Sequence, residues 1–177
     1  DQIRSVSEKV INWLRNKKIE PILLTGDGSQ AVDYTAARLG IKTVYKDQSP
    51  EQKYQVIKNY SEQGFKTMVV GDGSNDSIAM GAADISFSMG TGTVLAKTAS
   101  DGVILNDDLS LIKTAAQYSE KTQKIIRQNM IWSIGYNLLA MPVAILGWVE
   151  PFVAVIGMSF SSIIVTVNAL RLRKGAD

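Results

Sequence analysis

Met68-Val69-Val70-Gly71-Asp72-Gly73-Ser74-Asn75-Asp76 is the stretch that decides the fold of this chain. Its apolar start predicts a buried strand, and the following residues, 77–82, are compatible with a helix. Two carboxylates and an amide therefore lie in a glycine-rich turn, where the glycines let the backbone approach a phosphate. Oxygen ligands of this kind suit Mg²⁺. The turn predicts a magnesium and phosphate site; the alternative is a polar turn in which Asp72 and Asn75 only cap a helix.

Strand-like and helix-like segments alternate on both sides of this turn. Strands are predicted over 21–24, 43–45, 67–70, 85–89 and 103–105, and helices over 5–17, 29–39, 50–63, 77–82, 93–99 and from 109 onward. This alternation is typical of a mostly parallel, doubly wound α/β sheet with flanking helices. Ligands bind at the carboxyl ends of strands in such sheets, so the loop after 21–24 should lie at the same edge as Asp72. Lys53, early in its helix, could reach a phosphate there; the alternative is a solvated helix position.

Composition excludes several functions. Lys plus Arg number 19 and Asp plus Glu number 17, a balance of +2 that does not indicate a nucleic-acid partner. Cysteine and histidine are both 0, which excludes disulfides, thiolate or imidazole metal ligands, and imidazole catalysis within the chain. Any chemistry must use carboxylates, lysine, hydroxyls and backbone groups. The absence of an initiator Met leads us to expect a piece of a longer protein.

The last third of the chain has two long stretches without charge, 130–149 and 151–170. Each has about the 20 residues needed to cross a bilayer, so we predict transmembrane helices over about 129–149 and 151–172 with a turn at Glu150-Pro151. The basic residues that flank the stretches place both ends of the chain on the cytoplasmic side; they are Lys121, Lys124, Arg127, Arg171, Arg173 and Lys174. The alternative is a buried helical hairpin in a soluble protein.

Polar and sulfur-containing side chains within these stretches predict a second possible site. Met158 is a soft thioether ligand, and Tyr136, Asn137 and Ser161 offer oxygen atoms. A metal path between the helices is one interpretation. The alternatives are that the methionine only packs and that the hydroxyl only bonds the helix backbone.

The order of the motifs resembles that of P-type ATPases, most closely the branch that transports heavy metals. The motifs, in chain order, are Thr25-Gly26-Asp27, Ser49-Pro50-Glu51-Gln52-Lys53, Gly71 to Asp76, Met89-Gly90-Thr91-Gly92-Thr93 and the paired apolar stretches. Tyr136-Asn137 with Met158 and Ser161 is similar to the copper(I)-exporting subgroup. The resemblance implies a haloacid-dehalogenase-like (Rossmann-type) parallel sheet over 1–118, part of the phosphorylation domain. A connecting helix and an all-α transmembrane hairpin are expected over 119–177.

The resemblance also implies roles for individual residues. Thr25, Gly26 and Asp27 would surround the transferred phosphoryl group, and Lys53 would neutralise it. The cofactor-binding turn would consist of Gly71, Asp72, Gly73, Asn75 and Asp76, with Asp72 and Asp76 as Mg²⁺ ligands and ATP as the phosphoryl donor. The copper(I) path would consist of Tyr136, Asn137, Met158 and Ser161.

The function implied is that of an ATP-driven copper(I) exporter, which couples formation and hydrolysis of an aspartyl phosphate to metal transport across a membrane. The family's phosphorylated Asp, in an Asp-Lys-Thr-Gly-Thr motif, is absent from this sequence. We therefore expect the C-terminal part of a multi-pass membrane pump. Its expected partners are the N-terminal part of the same pump, copper(I), a copper donor protein and membrane lipid.

Three other functions remain open at this point. One is a membrane-anchored haloacid-dehalogenase-type phosphatase, which shares the phosphate site but transports nothing. Another is a P-type ATPase for a different cation. The third is a catalytically dead membrane module that regulates a partner, for which no effect of phosphate or Mg²⁺ is expected.

Overall fold

The computed structural model describes residues 5–72, 74–147 and 150–173, and the chain divides into two compact units, Asp1–Thr114 and Ala115–Asp177. The strands are β1 (Ile22–Leu24), β2 (Thr43–Tyr45), β3 (Met68–Gly71), β4 (Ile85–Met89) and β5 (Gly102–Ile104). The helices are α1 (Ser5–Asn16), α2 (Gln30–Leu39), α3 (Pro50–Glu62), α4 (Ser77–Ala82), α5 (Val94–Ala99), α6 (Ser110–Ile145) and α7 (Pro151–Leu170). Single 3₁₀ turns cover Ser74–Asp76 and Leu105–Asp107. The predicted alternation of strands and helices is confirmed.

Every strand pairing in the first unit is parallel, but the strands form two sheets. β1 pairs with β2, and β4 lies between β3 and β5. The predicted parallel pairing is confirmed, and in the residues that the structure describes the sheet is interrupted between the β1–β2 pair and the β3–β4–β5 group. The physical reason is that a sheet continues only where a neighbouring strand lies about 4.8 Å away, and no described strand pairs with both β1 and β3.

The ends of the helices follow local sequence signals. α2 ends at Gly40, whose φ of 63° lets its N–H reach the carbonyls of Ala36 and Ala37. α3 begins at Pro50 with a capping box. The Ser49 hydroxyl oxygen accepts a hydrogen bond from the Gln52 N–H, and the Gln52 side-chain oxygen accepts one from the Ser49 N–H. The capping box holds the loop at the carboxyl end of β2 in a defined position, and Gly40 turns the chain from α2 into β2.

A small apolar core supports the first unit. Its buried members from α1 to α5 are Val10, Leu14, Val32, Ala36, Ile57, Ala79, Met80 and Ala96. Helix α3 packs against α4, and α4 packs against α5. Between β4 and β5, the carboxylate of Asp101 accepts hydrogen bonds from both the N–H and the hydroxyl of buried Ser86. This pair fixes the start of β5 beside β4.

The second unit contains most of α6 and all of α7. Helix α6 ends at Ile145, earlier than the predicted end near 149, and Gly147 then adopts a left-handed φ of 72°. Pro151 opens the first turn of α7, as the sequence predicts, and α7 ends at Leu170, two residues before the predicted end. Over 5–72, 74–147 and 150–173, no helix combines the length and the apolar character needed to cross a membrane. The transmembrane hairpin is not confirmed.

Asp84 holds the loop that leads into β4, and its titration gives a test of the fold. Its carboxylate accepts hydrogen bonds from the Lys66 ammonium and from the N–H and hydroxyl of Thr67. The hydrogen bond from Lys66, followed by that from the Thr67 backbone, lowers the pKa of Asp84 to about 2. Because the folded-state pKa lies below the unfolded one, the stabilisation is present at neutral pH and is lost as pH falls through about 2.

We therefore expect Asp84→Asn to lower the thermal midpoint at neutral pH and to have little further effect once the pH is below the folded-state pKa. Thermal unfolding of the 177-residue chain across the acid range measures this difference. Asp33→Asn, which removes the exposed ion pair with Lys46, is the matched control and should change the midpoint little. An Asp84→Asn difference that persists unchanged into strong acid contradicts the assignment.

Candidate phosphate and magnesium site

Lys53 and Asp76 are brought together across the first unit. The Lys53 ammonium donates a hydrogen bond to Asp76 Oδ1 at 2.8 Å, and Lys53 is only 9% exposed. The capping box at Ser49 sets the start of α3 and so directs Lys53 toward the turn after β3. The alternative of a solvated lysine is wrong, because a buried ammonium needs a specific partner. Lys53 therefore presents a positive charge at the predicted phosphate turn.

The Asp76 carboxylate lies against the end of β3, where only glycine fits. A Cβ on Gly71 would come within 2.8 Å of Asp76 Oδ2. Asp76 is the N-cap residue of α4, yet its side chain makes no capping hydrogen bond. The N-cap position of α4 is thus taken by Asp76 rather than by Asp72 or Asn75.

Asp72 is held through its backbone rather than its side chain. Its carbonyl accepts a hydrogen bond from the Thr93 N–H at 3.0 Å, and its side chain is exposed. Gly92 makes this approach possible, since a Cβ there would lie 2.8 Å from the Met89 carbonyl oxygen and 2.9 Å from that of Asp72. The motif at 89–93 thus serves to position the turn after β3. Asn75 is also exposed, whereas Gly73 lies outside the described residues.

Gly92→Ala is expected to destabilise the first unit by about 1–3 kcal/mol, because both close atoms are backbone carbonyl oxygens that cannot rotate away. Gly81→Ala is the matched control. A Cβ at Gly81 in α4 meets nothing within 4 Å, so alanine there should be neutral or stabilise by about 0.5–1 kcal/mol. Chemical denaturation of both variants measures the difference. Equal stability of the two variants contradicts the proposed packing of Gly92 on Asp72.

The loop after β1 is organised by its own hydrogen bonds. The Thr25 N–H continues the β1–β2 pairing to the Tyr45 carbonyl, and the Thr25 hydroxyl oxygen accepts from the Asp27 N–H at 3.1 Å. The Asp27 carboxylate accepts from the N–H and hydroxyl of Ser29. Hydrogen bonding from the Ser29 backbone, then from its hydroxyl, lowers the pKa of Asp27. The Asp27 carboxylate is thus turned toward the start of α2.

Gly28 lies where the loop after β1 closely approaches the loop after β2. A Cβ at Gly28 would overlap the carboxylate of Asp47, which follows β2. Asp47 itself has a positive φ of 54°. Asp47 was not a candidate from the sequence, and no sequence signal marks it, since its approach to Gly28 exists only after β1 and β2 have paired.

The side chains at the end of β3 offer some, but not all, of the oxygen ligands that a magnesium ion needs. No group of three or more acidic, histidine or cysteine side chains gathers within the described residues. Mg²⁺ commonly takes only one or two carboxylates and completes its shell with water and phosphate oxygens. The exposed carboxylate of Asp72 and the exposed amide of Asn75 suit this need. Asp76, predicted as a second ligand, is paired with Lys53 through Oδ1.

The predicted metal path lies in the second unit, where α6 and α7 meet. The Tyr136 hydroxyl lies against Gly157, since a Cβ there would come within 2.6 Å of it. Ser161 accepts a hydrogen bond from the Trp132 indole at 3.1 Å. Met158 is 63% exposed, and Asn137 is exposed as well. Gly157 and Trp132 were not among the predicted site residues, and their role is visible only in the helix pairing.

Comparisons with known proteins agree with the fold described above. Residues 1–84 match the family model for haloacid dehalogenase-like hydrolases. A copper-exporting P-type ATPase of Staphylococcus aureus is 42% identical over 174 residues, and cation-transporting P-type ATPase B of Mycobacterium tuberculosis is 39% identical over 173. Both alignments cover 98% of this chain, which spans 22% and 23% of those relatives.

A solved structure gives the same result for the fold. A zinc-transporting PIB-type ATPase in its E2.Pi state superposes with a TM-score of 0.91 at 30% identity, over 97% of this chain and 28% of that one. The haloacid-dehalogenase-like parallel α/β fold is thereby confirmed. The agreement extends over nearly the whole chain in both sequence and structure, and this chain therefore belongs to the P-type ATPases of PIB type.

Proposed function

We propose that this chain is the C-terminal part of a copper(I)-exporting P-type ATPase and supplies one half of its phosphoryl-transfer site. The observation that carries the proposal is the buried Lys53 ammonium held by Asp76 beside the exposed carboxylate of Asp72. The copper-exporting relative at 42% identity supports the metal. The structural similarity to a zinc-transporting ATPase leaves a pump for another cation as the alternative.

The residues of the first unit match the demands of phosphoryl transfer, which needs positioning and charge neutralisation above all. Lys53 supplies a positive charge, and Asp76 holds it in place until a phosphoryl oxygen shares it. The Thr25 hydroxyl oxygen already accepts from the Asp27 N–H, so its proton remains for a phosphoryl oxygen. Asp72 and Asn75 would hold Mg²⁺, which when bound neutralises charge on the phosphate of ATP and of the phosphorylated protein.

The two sheets suggest where the phosphorylated Asp would enter. We propose that a strand from the N-terminal part of the pump lies between β1 and β3 and carries this Asp at its carboxyl end. The loops with Thr25 and Asp72 would then face it from both sides. Adding the upstream segment to the chain should slow amide hydrogen exchange in β1 and β3, and unchanged exchange there argues against this placement.

Membrane placement and copper binding belong to the same proposal. They are supported by the absence of charge over 130–149 and 151–170 in the sequence and by the family of metal-transporting pumps. Apolar side chains are exposed along both helices, including Leu138, Leu139, Ile145, Phe152 and Phe160. Both chain ends would be cytoplasmic, with lipid around the helices and a copper donor protein delivering the ion. Met158, Asn137, Tyr136 and Ser161 offer a thioether and oxygens to copper(I).

The decisive experiment uses the complete pump in sealed vesicles. We expect ATP hydrolysis to rise with copper(I) and not with Zn²⁺, and copper to accumulate on the side opposite the ATP site. Stimulation by Zn²⁺ alone would replace copper with another cation. Phosphate release without any metal response would favour the membrane-anchored phosphatase, and a complete lack of phosphate or Mg²⁺ effects would favour the regulatory module.

A further inference from the structure

We propose that Asn168 is a positioning residue: with Asn129 it fixes the register of α6 along α7 and thereby sets the axial offset between Asn137 and Met158. The helix contacts stand independently of function, whereas the consequence for metal binding rests on the proposed copper transport. Asn168 is not one of the proposed copper ligands. It would affect copper binding only by positioning the two helices that carry those ligands.

Side-chain contacts at three levels join the two helices, and we call them the α6–α7 clamp. Asn168 bonds to Asn129, Trp132 bonds to Ser161, and Tyr136 lies against Gly157. As α6 is followed toward its end, the partners on α7 come progressively earlier in the chain, as antiparallel helices require. The clamp therefore defines which residue of α6 faces which residue of α7.

Asn168 is the most connected member of the clamp. Its side-chain amide donates to Asn129 Oδ1 at 2.8 Å and to Gln128 Oε1 at 3.3 Å, and its Oδ1 accepts from the Arg171 guanidinium at 3.1 Å. The Asn129 amide in turn donates to the Val165 carbonyl at 3.4 Å. Asn129 and Asn168 are both half-buried, and their directional amide pair is satisfied at one register only. A single asparagine in a helix interface specifies register in coiled coils for the same reason.

The neighbouring hydroxyls of α7 do not join the helices in this way. Ser159, Ser162 and Thr166 each donate to a carbonyl four residues earlier in α7 itself. Such bonds stabilise one helix and leave its position along the partner unspecified. These residues therefore supply control positions, because they carry polar side chains on the same helix without joining it to α6.

The register of the clamp decides where Asn137 and Met158 lie. Each helical step turns by about 100°, and in an antiparallel pair the steps turn in opposite senses when viewed from one end. The residues that follow the facing pair Tyr136 and Gly157 therefore lie on the same side of the helix pair, and they are Asn137 and Met158. They lie one residue beyond that pair in opposite directions along the axis, so their heights differ by about 3 Å. A slip by one turn would change this offset by about 5.4 Å, and the two side chains would no longer meet one ion in the same geometry.

The register itself is measured by spin labels on the 177-residue chain. Because the sequence contains no cysteine, Ile134→Cys and Phe160→Cys place one label on each helix at exposed positions. We expect a single narrow distance with Asn168 intact. Asn168→Leu, and the nearly isosteric Asn168→Asp that loses both amide donations, should shift or broaden that distance, whereas Thr166→Val should not. An unchanged distance in both Asn168 variants overturns the proposal.

The functional consequence is measured in the complete pump with copper(I) alone as the probe. We expect Asn168→Leu to raise the copper concentration for half-maximal ATP hydrolysis by about tenfold or more, with a smaller change in rate at saturating copper. Thr166→Val should leave both values unchanged. A lower maximal rate with unchanged half-activating copper overturns the positioning role. If the unsubstituted pump does not respond to copper, the proposed function fails, while the spin-label distances still decide the register.

Discussion

Lys53→Met should reduce turnover of the complete pump by about 10²–10³-fold, the loss typical of removing one preorganised group that stabilises transition-state charge. Methionine keeps much of the buried volume of lysine but carries no charge. The Asp76 carboxylate, only 21% exposed in its side chain, would lose the ammonium that lies 2.8 Å away. We also expect a loss of about 1–3 kcal/mol in the free energy of unfolding, since a hydrogen bond to a charged group is broken.

The measurement is metal-stimulated ATP hydrolysis, together with chemical denaturation of the same variant. Lys58→Met is the matched control: it lies on the same helix, is half exposed, and meets Glu62 only at 3.8 Å. That change should leave turnover intact and alter stability by less than about 0.5 kcal/mol. Full activity of Lys53→Met would remove Lys53 from the phosphoryl site and leave it a purely structural role.

Asp72→Ala should abolish Mg²⁺-dependent turnover while leaving the fold intact. The hydrogen bond that anchors this residue comes from the Thr93 N–H to the Asp72 backbone carbonyl, and alanine retains that carbonyl. In the proposed function, its exposed side chain would supply the carboxylate for Mg²⁺. We expect at least about 10²-fold lower turnover, with the free energy of unfolding changed by no more than about 0.5 kcal/mol.

Asp72→Asn sharpens this test, because it keeps an oxygen ligand and removes the charge. Its turnover should respond to added Mg²⁺ at higher concentrations than the unsubstituted pump requires, and Mg²⁺ titration of ATP hydrolysis measures the shift. Asp33→Asn, which removes an exposed carboxylate on α2, is the control and should leave the Mg²⁺ dependence unchanged. Equal Mg²⁺ dependence of the Asp72→Asn and Asp33→Asn variants would rule out Asp72 as a ligand.

Much of the fold could be predicted because the signals are local. Pro50 and the capping box mark the start of α3, Gly40 marks the end of α2, and apolar runs mark the five strands within a residue or two. The division into two sheets was not predictable from these signals. Pairing depends on which strands lie beside each other in space, and residues far apart in sequence decide it.

In the candidate site, too, local sequence signals marked the residues but not the contacts between distant ones. Strand ends and glycine turns marked Asp72, Asp76 and Lys53 as residues of one edge. The partner of Lys53 was not marked, because 23 residues separate it from Asp76. Asp76 was therefore predicted only as a metal ligand, and the structure adds that it holds the lysine.

The sequence alone determined the order of motifs, the residue types available for chemistry and the alternation of strands and helices, since each depends on composition and short-range spacing. Tertiary structure alone decided the contacts between distant segments: Lys53 with Asp76, the motif at 89–93 with the Asp72 carbonyl, and Asn168 with Asn129. The physical reason is that hydrogen bonds and close packing act over a few ångströms. Only the folded chain brings these groups within that distance.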